Sequence, residues 1–287
     1  MSFFPSRHRC CPQCLQRRLL VKGEEVVQDY HRGGVCYLVG FRTAIPLDVE
    51  MLQPGEGELT AAQRLLPRVV QSYDRLFRVV LADALFFNAP FFNLCLGLGK
   101  EVITVLKDED RALFQDALGV FSLIEPQVWE EPNQKIRAWD AKGFTSAEGI
   151  EVPLRVLHTE EVITRRHRDG KGWIQKKETH HWEWVTTLSV ARLSTYLLWQ
   201  IGHGRWEIEN DLFHTLATHW SLDHCFRHEP TAILNFILTL FIAFVLLQSF
   251  YLGNLKPQRR AHLTLISVAG ELAFGLAAMD GPAPWLR

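Results

Sequence analysis

The sequence predicts an α/β protein: a mixed sheet flanked by helices, with a β-rich insertion before the last helical part. Three observations predict it. An apolar run over residues 77–82 ends in Asp83 and is followed by alternating helix-like and strand-like patterns as far as Gly119, the order that implies parallel pairing. From about Glu125 this alternation gives way to short Trp- and Val-rich segments punctuated by Pro and Gly, the mark of antiparallel strands. After Ser189 the apolar period becomes helical again.

In chain order, residues 1–24 form a basic segment in which Arg7, Arg9, Arg17, Arg18 and Lys22 surround Cys11-Pro12-Gln13-Cys14. Strand-like runs follow near 26–31, 35–42 and 44–51, separated by Gly33-Gly34 and by the Arg42-Thr43 turn. The stretch from Pro54 to Glu58 breaks the pattern, and Thr60 is placed to cap a helix over about 61–73 with Leu65, Leu66, Val69 and Val70 on its apolar face. The run at 77–82 reads as a central strand buried on both faces. A helix near 87–99, a strand at 101–106 and a helix near 108–119 complete a first part, residues 25–122. Trp129, Ile136, Trp139, Val156, Trp173, Trp182 and Trp184 lie in the insertion, residues 123–188, and residues 189–287 form the C-terminal helical part.

Within that last part, residues 231–252 are long and apolar enough for a helix to cross a bilayer, with only Asn235 and Gln248 strongly polar. The flanks carry no pattern of aromatic or basic anchors, and no second span exists for a bundle, so a helix buried on all sides in a soluble domain is the preferred reading.

Composition narrows function. With 287 residues, 47% hydrophobic and 22% charged, the chain has length and apolar content for a sizeable core, which excludes disorder. Formal charge is −1 from 31 Lys+Arg and 32 Asp+Glu, which excludes a histone-like polyanion binder but not local basic patches. Six cysteines are too few for a disulfide scaffold, and the bunching of Cys10, Cys11 and Cys14 suggests metal or reduced thiols in a cytosolic protein. The opening residues carry no apolar h-region, so no secretory signal is expected. The absence of a GxSxG elbow or a GxxxxGK[ST] loop leaves serine-hydrolase and NTP-binding readings without support.

The first chemical constellation is Asp83 at a strand end and Glu209 in a helix. Two such carboxylates can chelate divalent cations for phosphoryl transfer; singly, each is ordinarily a helix cap or a solvated surface acid. Their surroundings decide the matter. The segment from Leu81 to Phe87 and the block Arg205-Trp206-Glu207-Ile208-Glu209-Asn210 resemble the second and third acidic motifs of DDE transposases of the bacterial insertion-sequence type, with Arg205 and Glu209 matching the Arg-x-x-x-Glu signature. Cys11-Pro-Gln-Cys14-Leu, the stretch 45–51, Gly55-Glu-Gly-Glu58, Leu222-Asp-His224 and His228-Glu-Pro230 are similar to further segments of the same family, so the resemblance covers nearly the whole chain. It implies an RNase H-like fold and catalysis by Asp83 and Glu209 holding Mg²⁺ or Mn²⁺. It also implies a double-stranded DNA substrate with inverted-repeat ends, a homodimeric synaptic complex, no membrane and a cytoplasmic, nucleoid-associated location.

Departures accompany it. The family's first acid precedes the Cys segment, yet none of the residues before Cys10 is acidic, while Asp29 and Asp48 come too late in the order. The tyrosine expected three residues before Arg205 is Gly202, and the lysine expected about seven residues after Glu209 is missing. Two carboxylates hold two closely spaced cations poorly, so impaired catalysis is expected; the alternative is a non-catalytic, DNA-binding remnant. Arg205 is expected one helical turn before Glu209 on the same face, either gripping a scissile phosphate or merely orienting Glu209.

A second constellation, the basic hairpin of Arg165, Arg166, Arg168, Lys171, Lys176 and Lys177 with Trp173 at its base, suits a phosphate backbone, and Asn210 is a further candidate DNA contact. A third is Cys11 and Cys14, a candidate zinc pair that His8, His31 or Cys36 would have to complete, with free thiols as the competing reading. His214, His219, His224 and His228, with Cys225, read as loop-stabilising groups rather than ligands.

Overall fold

The computed structural model describes residues 2–6, 11–40, 43–107, 111–169, 172–224 and 229–279. The chain divides into two units, Met1–Leu65 with Glu207–Arg287, and Leu66–Trp206.

The first unit opens with β1 (Ser2–Ser6), β2 (Leu15–Val21), β3 (Glu24–Leu38) and β4 (Ile45–Met51). Lys22 and Gly23, both at positive φ, make the tight turn between β2 and β3, matching the right-handed twist of the flanking strands. The 15-residue β3 is continuous, and the expected break at Gly33-Gly34 does not occur. These glycines instead mark a change of partner, since β3 pairs antiparallel with β2 up to Tyr30 and with β4 from Gly33 onward. α1 (Glu58–Tyr73) begins earlier than Thr60 suggests, with Glu58 supplying negative charge at its positive end and pairing with Arg32.

The second unit contains β5 (Val79–Ala82), α2 (Ala89–Gly97), β6 (Glu101–Val105), α3 (Ala112–Phe121), β7 (Gln127–Glu131), β8 (Gln134–Phe144), β9 (Leu154–Asp169), β10 (Gly172–Thr186) and α4 (Thr195–Gly204). Six strands form one sheet in the order β5-β6-β10-β9-β8-β7. β5 and β6 run parallel, as the strand–helix alternation predicts, and β10 joins β6 antiparallel, so the β-rich insertion extends the same sheet. One expectation is corrected: β5 is half-buried throughout, and β6 is its one ladder partner among the described residues, whereas β6 itself is the deeply buried strand. An apolar run sets a strand's preference for burial; the number of neighbours it receives is a tertiary matter.

Side chains from both faces of this unit close the core around Ile103, Ile136, Leu157, Trp184 and Leu198. Arg155 crosses it with a doubly bonded pair to Asp140, at 2.8 and 2.5 Å, and a third bond to the Leu193 carbonyl. Thr195 at the start of α4 donates to the same carboxylate at 2.6 Å. A charge this deeply buried is tolerated only with such complete pairing.

The chain then returns to the first unit with α5 (His214–Trp220), α6 (Pro230–Gly253), α7 (Pro257–Arg260) and α8 (Leu265–Met279). α6 is long and apolar enough to cross a membrane, yet it is not buried on all sides. Ile233, Ile237, Phe241, Phe244 and Gln248 form one buried stripe, while Ile242 and Leu246 on other faces are exposed. Along the stripe Gln248 exchanges hydrogen bonds with the backbone of Ala44, accepting from its N–H at 2.8 Å and donating to its carbonyl at 3.0 Å. The stripe packs with Val49, Leu212 and Leu216 into a core, so this face of α6 is a protein interior rather than a lipid surface.

Candidate active site

Asp83 follows β5 directly, at the point where the strand's hydrogen-bonding ladder ends and the backbone turns into a short 3-10 helix, Ala84–Phe86. Its Oδ1 accepts the Ala84 N–H at 2.7 Å, the helix-capping role that such an acid ordinarily plays. The carboxylate nevertheless remains 39% exposed. Two cations flank it: Lys107, just beyond β6, with Nζ 3.8 Å from Oδ1, and Arg205, just beyond α4, with Nη1 3.9 Å from Oδ2. Adjacency of β5 and β6 places Lys107 beside Asp83, a neighbour that the sequence does not single out because Lys107 sits in no motif. Separations this long, at an exposed acid, are weak pairs.

Arg205 is mostly buried, and its guanidinium lies over the Trp206 ring at 4.4 Å. Trp206 belongs to an aromatic group with Trp182, 4.8 Å away, and His203, which explains why Arg205 has a fixed direction. The tyrosine expected at position 202 is sterically barred. A Cβ on Gly202 would stand 2.5 Å from the buried Trp184 indole. The helix itself is also not continuous. α4 stops at Gly204, Arg205 and Trp206 form a turn, and a wide π-helical stretch, Ile208–Phe213, follows. π-helical turns of this kind are frequent at functional sites.

Glu209 and Asn210 are exposed on that stretch, in the first unit. Burial, and after it the negative charges of Asp211 and Glu207, push the nearby Tyr37 hydroxyl up to about 12. Asp29 and Asp48 are engaged locally: buried Asp29 accepts from Gln16 at 3.0 Å, and Asp48 accepts the Val49 N–H at 2.7 Å. The acids of the Gly55–Glu58 segment are likewise structural, since Glu56 receives two bonds from Arg64.

The basic hairpin is a two-stranded ribbon. β8 pairs with β9 only as far as Ile163, so beyond it β9 and β10 continue with each other alone. Strand alternation sorts its side chains. Arg165 and Lys176 face each other across the ladder and share Glu178, at 3.8 and 2.9 Å. Arg166, Arg168, Lys177 and Trp173 lie on the opposite face; there the three cations have no acidic partner among the described residues, and Trp173 is 72% exposed. Lys171 lies outside the described residues, as do His8, Cys10, Cys225 and His228.

Cys11, Cys14 and His31 come together: the two sulfurs are 3.6 Å apart, and His31 Nε2 is 3.4 Å from Cys11 and 3.6 Å from Cys14. Cys36 does not join them. It stands five residues beyond His31 on β3, on the opposite face and about 17 Å along the strand.

The sequence profile of the transposase DDE domain matches residues 31–246, well over half of the chain. The protein belongs to that family, and its mixed sheet flanked by helices is an RNase H-like fold. The matched span contains Asp83, Arg205 and Glu209. Among curated proteins no sequence matches the chain. Transposases of this family act on DNA with divalent metal ions. The exposed carboxylate of Asp83 is a hard oxygen donor suited to such a cation. Within the second unit, however, no three-ligand cluster gathers around it among the described residues.

Proposed function

We propose that the chain is an insertion-sequence transposase that cuts and joins DNA phosphodiesters, with Asp83 and Glu209 as metal-holding acids and Arg205 as a guanidinium directed at the reacting phosphate. The observation that carries this reading is the approach of Arg205 to Asp83. Two residues far apart in sequence, each from a different motif of the family, meet at the end of one strand. Mg²⁺ or Mn²⁺ held by these carboxylates would activate the attacking oxygen and stabilise the leaving one. In the cutting step a water oxygen bonds to phosphorus as the 3′-oxygen departs; in the joining step the freed 3′-hydroxyl oxygen bonds to a target phosphorus as that phosphodiester's own 3′-oxygen departs. Arg205, fixed over Trp206, supplies charge to a crowded anionic phosphate without itself losing a proton. Lys107 adds a second positive charge beside Asp83. The substrate is double-stranded DNA with inverted-repeat ends, held in a homodimeric synaptic complex in the cytoplasm at the nucleoid. The β9–β10 ribbon, narrow enough for a major groove, tracks the duplex.

A polypeptide of these 287 residues supplies two of the three acids expected for the family's triad, since Asp29 and Asp48 come after the Cys segment and so out of the expected order. Such a polypeptide binds DNA ends but turns over slowly, and at the limit acts as a non-catalytic binder. Nicking and strand transfer of a labelled DNA end in Mg²⁺ or Mn²⁺ test this. The expected result is end binding with little product. Robust cleavage abolished by Asp83→Ala would overturn the impairment and uphold the catalytic assignment; robust cleavage indifferent to Asp83→Ala would remove the site.

A further inference from the structure

Outside the catalytic region the described residues gather one set of metal-ligating groups: Cys11, Cys14 and His31, in the first unit. Cys11-Pro12-Gln13-Cys14 forms a knuckle closed by a bond from the Cys14 N–H to the Cys11 carbonyl, 3.3 Å. It enters β2 at Leu15, which lies opposite Tyr30, and so the residue after Tyr30 is carried to the mouth of the knuckle. Cys14 and His31 are almost wholly buried, and Cys11 is partly exposed.

We infer that Cys11, Cys14 and His31 bind a zinc ion that clamps the knuckle to β3. The lengths carry this. With Zn–S near 2.3 Å and Zn–N near 2.0–2.1 Å, a tetrahedral ion holds two sulfurs about 3.8 Å apart and a sulfur and a nitrogen about 3.6 Å apart. The observed edges are 3.6, 3.4 and 3.6 Å, the triangular face of such a tetrahedron. Hydrogen bonding accounts for the triangle less well, because a single imidazole nitrogen either donates one proton or offers one lone pair, and both sulfurs crowd it equally. A disulfide is not the arrangement either, since bonded sulfurs lie about 2.05 Å apart. Two thiols and an imidazole select zinc over magnesium, which takes hard oxygen donors. Binding expels both thiol protons, so the two thiolates neutralise the dication. The fourth vertex is left to a water. The clamp is independent of the catalytic reading, because none of its three ligands belongs to the set of Asp83, Arg205 and Glu209.

The test uses the full 287-residue chain, expressed without added zinc and exchanged into metal-free buffer. Elemental analysis is expected to find roughly one zinc per chain. Replacement by Co²⁺ is expected to give thiolate charge-transfer absorption together with tetrahedral visible bands. Cys14→Ser is expected to lose them, and Cys36→Ser to keep them. Should Cys14→Ser fail to fold, the wild-type chain suffices: its Cys11 and Cys14 thiols resist alkylation until a chelator is added. A folded wild-type chain free of zinc and without a cobalt–thiolate spectrum would overturn the inference, as would a Cys11–Cys14 disulfide in the freshly isolated chain. DNA-cleavage activity leaves the matter untouched, so the two proposals fail separately.

Discussion

Single residues in this protein carry meanings that the motifs alone do not fix. Gly202 is an example. Seen against the family pattern it is a missing tyrosine; seen in the fold, it is the one residue type small enough to lie against Trp184, which is wholly buried. Gly202→Ala forces the indole or α4 to move, and overpacking of this kind costs about 1–3 kcal/mol. The expected result is a lower urea midpoint with an unchanged slope; equal midpoints would mean that the indole relocates freely. Asp83 shows the converse. Its capping bond to Ala84 and its place after β5 follow from a strand that must end, while its two flanking cations come from elements far along the chain. Lys107 is invisible to motif reading for that reason, and Arg155 for another: a buried arginine looks like any other basic residue until Asp140 is found beside it.

At the scale of elements, the β9–β10 ribbon divides a patch that sequence presents as one basic cluster. Glu178 draws off Arg165 and Lys176 on one face, leaving Arg166, Arg168 and Lys177 beside exposed Trp173 on the other. Charge reversal at Arg166 and Arg168 is therefore expected to weaken DNA-end binding and to reduce the log–log salt slope by about 0.9 for each phosphate left unneutralised. Reversal at Arg165 is expected to change the slope less. Equal effects on both faces, measured by titrations at several salt concentrations, would reject the division. α6 makes a similar point. Its composition asks for burial on every side, but its neighbours supply only one stripe, anchored by Gln248 on the Ala44 backbone.

For the whole molecule, acid sensitivity follows from the way α4 is pinned to the sheet of the second unit. Glu161 on β9 is buried, which pushes its carboxyl up, but bonds from His203 at 2.8 Å, Trp199 at 2.7 Å and Thr159 at 3.0 Å outweigh burial and hold it below its ordinary value. A carboxyl lowered in the folded state contributes stability that is fully present above the unfolded value, about 4.3, and is lost as pH falls through the folded value. Denaturation midpoints followed from neutral to acid pH should show this loss. Glu161→Gln should flatten that part of the profile while lowering stability at neutral pH, because a buried network loses its charge-assisted bonds. An unchanged profile would assign the acid sensitivity to other groups.

Much of this architecture is legible in the chain. The alternation from residue 77 onward fixes the parallel β5–β6 pair, the shift after Glu125 fixes the antiparallel strands, and the two acidic motifs single out Asp83, Arg205 and Glu209, because periodicity and local motifs are written in neighbouring residues. What only the tertiary structure decided depends on residues remote in sequence: the half-buried standing of β5, the single buried stripe of α6, the partner of Arg205, and the meeting of His31 with Cys11 and Cys14. Burial and pairing are sums over neighbours, and a linear sequence names the side chains without saying which of them will be adjacent.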